Sequence, residues 1–515
     1  MARTREDRDK LIAAACSPDL ADIVDLVLWV EPDGDGPATA YAANHLGTVR
    51  WVGEEPREVI AGSDPIGSED PMAFLPYAEE VAHASPRVST DNAYPLPALR
   101  MRSFFAHPDR SPDFAIVHTP RHFFPEEHGH VGEHGSLDVI QSRAPFVMSG
   151  AGVEPAGYVA EYARLVDVGP TLAHLAGVPA DDQVDRAGVP LDGTVRSAHL
   201  TGALPRFVIG ILWDGGHSGE VLDGAESGRL PGVARLIERG VAYRGGAVAE
   251  FPSITLTNHT AILTGVGPGR HGVMGNVYYD RSTGERVVPN DESTWHRSAE
   301  WLKPEARTVF EMVADHVPAG GVRTASVDEA IDRGADYSTM ALIRASGEAG
   351  ADALDDALPD PTTSPFLGDP GFLEDSYFRW GVRVDDLGLQ QMLDLWADPT
   401  TAPHLTWWAN VVTDAGHHGA GVRSPMGRDA LRQADARLSV FLDHLEALGV
   451  LDEVAIVLTA DHGFETSDSA VTGSWKAALD AVGVPYRDEG PGLVYLLDEA
   501  PEARDDSEAS GRKRD

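Results

Sequence analysis

The chain has 515 residues, with 41 Lys+Arg against 81 Asp+Glu and a formal net charge of −40, which excludes a duplex-tracking nucleic-acid binder because phosphates are repelled at long range. Apolar residues make up 42% and aromatics 7%, fitting a soluble α/β protein of one large domain or a few smaller ones. No apolar run approaches the roughly 18 residues of a membrane span, the charged N-terminus lacks the apolar core of a secretory signal, and the single Cys16 excludes an internal disulfide, so a reducing cytoplasm is the expected setting.

The spacing predicts a helix over Glu6 to Ala15 and a strand over Ile23 to Glu31, with a turn at Pro32 to Pro37 and short strand-like pieces from Ala38 to Trp51. Residues 54–112 are rich in Pro and Gly with little periodicity and read as surface connection. Phe114 to His118 reads as a core strand, followed by a loop bearing His122, His128, His130 and His134. Ala144 to Ser149 is another strand, and Leu165 to Ala176 is a helix closed by Gly177. Phe207 to Trp213 is a continuous apolar run that ends at Asp214-Gly215-Gly216, the pattern of a buried parallel strand delivering a carboxylate to its C-terminal edge.

Helices are expected over Leu230 to Arg239, after Thr255, over Thr308 to His316 and over Arg428 to Leu448. Strands are expected over Val322 to Ser326, His404 to Thr413 ending at Asp414, Glu453 to Ala460 ending at Asp461-His462, and Gly492 to Asp498. Residues 340–400, rich in Asp, Pro and Gly, read as insertion or cap rather than core, and 499–515 as a disordered tail.

A lone Asp at a strand end ordinarily caps a helix. Here Asp214, Asp414 and the pair Asp461-His462 end three strands, and Asp414 is followed by His417 and His418. Carboxylates mixed with imidazoles favour zinc or manganese over calcium. The segment Pro252-Ser253-Ile254-Thr255-Leu256-Thr257-Asn258-His259 runs into a helix, and His271-Gly-Val-Met-Gly-Asn276 follows. A hydroxyl at a helix start with an amide just beyond suits phosphoryl chemistry.

In order and spacing over residues 205–465, these motifs resemble the alkaline phosphatase superfamily, nearest its nucleotide pyrophosphatase/phosphodiesterase branch, with phosphonoacetate hydrolase a close relative. The resemblance implies an α/β fold of three αβα layers around a mostly parallel sheet. It also implies two divalent metal ions, zinc first and manganese second. One would lie among Asp214, Thr255, Asp461 and His462, and the other among Asp414, His418 and one further histidine. Thr255 would be the nucleophile and Asn276 a contact to phosphoryl oxygen. The family has Pro where this chain has Thr257, so Ser253 and Thr257 are alternative hydroxyls. It also has Gly where His417 stands, so His417 competes with His418.

The family's last histidine ligand follows its Asp-His-Gly motif, yet no histidine follows His462 in this chain. His134-Gly135-Ser136, Arg143 to Gly150 and Leu165 to Pro179 resemble the family's closing segment, placed at the front. The expectation is a circular permutation, with His134 the missing ligand. Residues 1–200 would be the displaced C-terminal part and 205–498 the main part of one domain, with a cap near 277–400. The expected partner is a small phosphate ester, cleaved as a diester or nucleotide pyrophosphate, with a phosphonate or phosphomonoester as the alternative; duplex nucleic acid and membranes are not expected partners, and the oligomeric state is left open. A non-catalytic, metal-stabilised binding protein is the alternative of another class. Sulfatase activity is disfavoured by the absence of a Cys/Ser-x-Pro-x-Arg motif.

Overall fold

The computed structural model describes residues 4–34, 36–82, 92–125, 129–291, 293–318, 321–346, 355–490 and 492–498. His128 and the 499–515 tail lie outside them. Among the described residues no helix is long and apolar enough to cross a membrane.

The protein is α/β, built around a mixed, mostly parallel sheet of eight strands. Their spatial order is Tyr337–Ser338, Thr324–Val327, Leu405–Asn410, Phe207–Trp213, Val454–Thr459, Phe146–Gly150, Gly240–Tyr243 and Gly157–Val159. Phe207–Trp213 is central and parallel to both neighbours, whereas Phe146–Gly150 runs antiparallel to the strands on either side of it. Trp213 pairs with Asn410, and Leu212 with Thr459, so the C-terminal ends of three strands finish level. That register is what brings Asp214, Asp414 and Asp461 to one edge.

The alternation of a strand sends side chains to both faces. Val208 and Leu212 enter one core with Leu172, Ile262 and Val309; Phe207, Ile209, Ile211 and Trp213 enter the other with Val233, Phe378 and Leu438. Both cores are dry and helix-covered, which explains the unbroken apolar run in sequence.

A second, seven-stranded antiparallel sheet joins the two ends of the chain. Its order is Tyr486–Glu489, Leu493–Leu496, Phe114–His118, Val24–Asp33, Gly36–Ala43, Gly47–Trp51 and Glu58–Gly62. The helix Arg5–Ala15 packs Leu11, Ile12 and Ala15 against Val494 and Leu496 of the C-terminal strand.

Three expectations require correction. Residues 54–112 are more than connection: the helix Pro97–Phe104 buries Arg100, Met101 and Phe104, and Arg100 donates to the Leu137 carbonyl at 2.8 Å and to Ser142 Oγ at 2.7 Å. Residues 340–400 contain core, because the helix Ser376–Leu395 buries Phe378, Val382, Leu389 and Met392 against the central sheet layer. Asp414 does not end a strand but sits in the first turn of the helix Val412–Ala420, so Asp414 and His418 are stacked one turn apart.

Gly210 lies opposite Trp407, and a Cβ there would meet the indole at 2.2 Å. Gly210→Ala is expected to cost about 1–3 kcal/mol by overpacking, read from the urea midpoint; an unchanged midpoint would contradict this packing.

Candidate metal centre

Four imidazoles are held in one manner. His134 Nδ1 lies 3.1 Å from the Ser253 carbonyl, His418 Nδ1 2.9 Å from that of Gly132 and His462 Nδ1 2.9 Å from that of Gly463, while His259 Nδ1 lies 2.9 Å from Glu329 Oε2. Each Nδ1–H donates outward, which turns Nε2 towards the carboxylates.

The carboxylates are likewise half-anchored. Asp461 Oδ1 accepts from the Gly215 N–H at 2.9 Å, and Asp414 Oδ2 from the Tyr377 hydroxyl at 2.7 Å. Their other oxygens, with Asp214 Oδ1, His259 Nε2 and His462 Nε2, are buried without a hydrogen-bond partner. The Nε2 atoms stand 3.4 Å (His418) and 3.8 Å (His134) from Asp414 Oδ1, and 3.6 Å (His462) from Asp214 Oδ1. Ligand atoms of His134, Asp414 and His418 lie within 4.8 Å of one another, as do those of Asp214, Asp414 and His462, and those of Asp214, His259 and Asp461. Orphaned donors of this kind, hard oxygens beside neutral nitrogens, fit divalent metal ions.

The helix Thr255–Thr264 brings His259 Nε2 to 3.6 Å from Asp214 Oδ2 and 3.5 Å from Asp461 Oδ2. Asn258 clamps its approach: Oδ1 accepts from the Glu250 N–H at 2.7 Å and Nδ2 donates to the carbonyls of Pro252 and Ile254 at 3.1 Å each. Thr255 opens the helix half-exposed. Ser253 Oγ, by contrast, is buried and donates to the Ser136 carbonyl at 2.6 Å, and Thr257 is fully buried. Of the three hydroxyls, only Thr255 is reachable. Asn276 Oδ1 accepts from the Leu256 N–H at 3.1 Å, leaving its amide nitrogen as the donor for a ligand beside the helix N-terminus.

The other loop and helix histidines divide clearly. His418 approaches Asp414, whereas His417 Nδ1 turns to the Gly215 carbonyl at 3.1 Å. His122 is buried beside Phe124 and Trp475, away from the carboxylates. Ligand atoms of His130 and Glu133 also lie within 4.8 Å of one another and of His418. Sequence reasoning missed His259, Glu329 and Tyr377. His259 had a signal, since it lies one helical turn from Thr255; Glu329 and Tyr377 reach the site only through tertiary folding.

Burial and neighbouring imidazoles hold His134 and His418 well below the ordinary histidine range. Burial, then Asp461 and Asp414, raises Asp214 well above the usual carboxylate range. Burial alone would raise Asp461, but His462 and His259 hold it well below. Burial likewise opposes the charged forms of His462 and His259. Asp461, Asp214 and Asp414 nevertheless raise His462 to about 9, while Glu329, with the Asp214 and Asp461 carboxylates 3.6 and 3.5 Å from Nε2, holds His259 well above its usual value.

A family model described as type I phosphodiesterase / nucleotide pyrophosphatase matches residues 208–513, more than half of the chain. An uncharacterized pyrophosphatase/phosphodiesterase of Schizosaccharomyces pombe is 35% identical over 93 residues, 17% of this chain and 19% of that protein. Alkaline phosphatase PafA of Elizabethkingia meningoseptica is 28% identical over 109 residues, 21% of this chain and 20% of that protein. The chain thus spans about a fifth of the length of these curated relatives. Among solved structures, murine ectonucleotide pyrophosphatase/phosphodiesterase 5 aligns with a TM-score of 0.40 at 14% identity, covering 57% of this chain and 66% of its own. Phosphonoacetate hydrolase of Sinorhizobium meliloti 1021 with phosphonoformate aligns with a TM-score of 0.31 at 25% identity, covering 51% and 57%.

In metal-free protein, His462 and His259 carry folded pKa values above their unfolded ones, so their stabilising charge is fully present below about pH 6.5 and is lost as pH rises through the folded values, about 9 for His462. Asp214, also raised, acts in the same direction, and the contribution of His134 and His418 is already constant in that window. His462 alone is expected to cost chelator-treated protein on the order of 2–3 kcal/mol between about pH 6.5 and 9, with His259 and Asp214 adding to the loss, read from urea midpoints; a flat or rising profile would contradict it.

Proposed function

As the chain belongs to the type I phosphodiesterase/nucleotide pyrophosphatase family, we propose that it hydrolyses phosphodiester or nucleotide pyrophosphate bonds with Thr255 as nucleophile beside two divalent metal ions, zinc in preference to manganese. The observation that carries this reading is the set of orphaned, buried ligand atoms on Asp214, Asp414, Asp461 and His462, with Thr255, the one partly exposed hydroxyl of the three candidates, one turn before His259 on the helix that reaches Asp214 and Asp461.

Asp214, Asp461 and His462 would hold one ion together with Thr255, and Asp414, His418 and His134 the other. Bound there, the ions would lower the pKa of the Thr255 hydroxyl and neutralise charge on the phosphoryl oxygens. Thr255 Oγ, its proton passing to solvent, attacks phosphorus in line with the leaving alkoxide or phosphate, which departs as Thr255 becomes esterified to the phosphoryl group still carrying the substrate's other ester substituent. Water then cleaves the Thr–O–P bond and returns the hydroxyl. The Asn276 amide and the N–H groups at the start of the helix hold the equatorial oxygens through both steps. The net charge of −40 makes the ions necessary for more than chemistry, because a phosphate ester meets an attractive potential only at the centre.

The same reading takes the chain as circularly permuted, with residues 1–200 and 205–498 forming one domain. Supporting it, the family match begins at Val208, yet His134 from before that point completes the Asp414 cluster. The first helix also packs on the last described strand, and residues 201–204 are exposed.

Thr255→Ala is expected to lower turnover at least about 1,000-fold while retaining its metal. The panel is a chromogenic phosphodiester, phosphomonoester, phosphonate ester and sulfate ester, with and without chelator. Activity led by the diester and abolished by chelator supports the reading; no activity on any of the four would favour a metal-stabilised binding protein. A chain reopened between Gly202 and Pro205, with Asp498 joined to Thr4 by a flexible linker, is expected to fold and bind the same number of metal ions. Loss of both would contradict the permutation.

A further inference from the structure

His259 lies one turn beyond Thr255 on the same helix, so both side chains project to the same side. Its Nδ1 faces both oxygens of Glu329, at 2.9 and 3.1 Å. Glu329 is fully buried and also accepts from Trp407 Nε1 and the Ile331 N–H, each at 2.8 Å. The carboxylate is therefore saturated and fixed, and it holds the imidazole by one nitrogen.

The other nitrogen, Nε2, stands 3.6 Å from Asp214 Oδ2 and 3.5 Å from Asp461 Oδ2, and has no hydrogen-bond partner. An imidazole bonded to either carboxylate would close to about 2.7–3.2 Å. Two donors each about 2.1 Å from one tetrahedral ion are instead separated by about 3.4 Å. The His259 separations match the second case, as do the 3.4 Å between His418 Nε2 and Asp414 and the 3.6 Å between His462 Nε2 and Asp214. His259 is only 4% exposed, so solvent is no alternative partner.

We propose that His259 is a further metal ligand, on the ion that Asp214 and Asp461 hold, with Glu329 as the carboxylate that orients its ring. Glu329 is a positioning residue: it fixes the tautomer and raises the basicity of Nε2. The added nitrogen makes this position richer in imidazole than one of carboxylates and Thr255 with a single histidine. That shifts its preference towards zinc and away from manganese or magnesium. The inference rests on the metal-hydrolase reading above, but its test does not depend on turnover.

The test uses the full chain, stripped of metal and titrated with Zn2+ and with Co2+, whose visible absorption reports the ligand set directly. Wild-type protein is expected to take up two ions. His259→Ala should weaken one of them at least about 100-fold and change the Co2+ spectrum, with added imidazole restoring that spectrum. Glu329→Gln, which preserves the packing around the ring, should weaken the same ion about 10–100-fold. It carries the test if His259→Ala fails to fold. Both affinities and the Co2+ spectrum unchanged in the folded variants would overturn the assignment of His259. Wild-type protein that binds neither metal would instead overturn the hydrolase reading on which it rests.

Discussion

Three carboxylates buried at one sheet edge cannot all be charged without cations beside them. Asp214 has ligand atoms within 4.8 Å of those of Asp414 and of Asp461, and a pair of like charges at that range repels by about 3–4 kcal/mol even at an effective dielectric near 20. Desolvation adds to that cost. Without metal, burial and the neighbouring carboxylates push the Asp214 carboxyl up, and the same carboxylates favour the charged forms of His462 and His259. With metal, the same atoms become ligands. The level register of Phe207–Trp213 with its two neighbours, the clamp on the approach to Thr255 and the outward tethering of every Nδ1 all serve that concentration of charge.

The tethers bind distant parts of the chain to one another. Gly132 and Ser136 accept from His418 and Ser253, while Ser253 in turn accepts from His134. The front segment therefore brings His134 into the cluster with Asp414 and His418 and also fixes residues of the downstream half. Phe146–Gly150 does the same for the sheet, filling the position between Val454–Thr459 and Gly240–Tyr243. The proposed centre depends on that interlocking as much as on the motifs themselves.

Much of the site was legible because its parts are local. Asp214, Asp461 and His462 follow apolar runs, so periodicity and punctuation placed them, whereas Asp414 was read as a strand end and its pairing with His418 came from the family's four-residue step. Thr255 was separable from Ser253 and Thr257 only once burial was known. The antiparallel sheet was not legible as a sheet, since Phe114–His118 pairs with Leu493–Leu496 across most of the chain and no local pattern encodes such a partner. Ser376–Leu395 was obscured by the Asp- and Pro-rich sequence before it, and with it went Tyr377, whose hydroxyl holds Asp414. Glu329 carries no local signal, because only the fold brings Trp407 and His259 around it.

The most direct measurement is the position of bound metal, read as zinc-edge anomalous scattering from zinc-loaded crystals. Two peaks are expected, one bonded to His134 Nε2 and Asp414, the other to Asp214 and Asp461. A single peak, or peaks that leave His134 uncoordinated, would contradict a centre assembled from both ends of the chain.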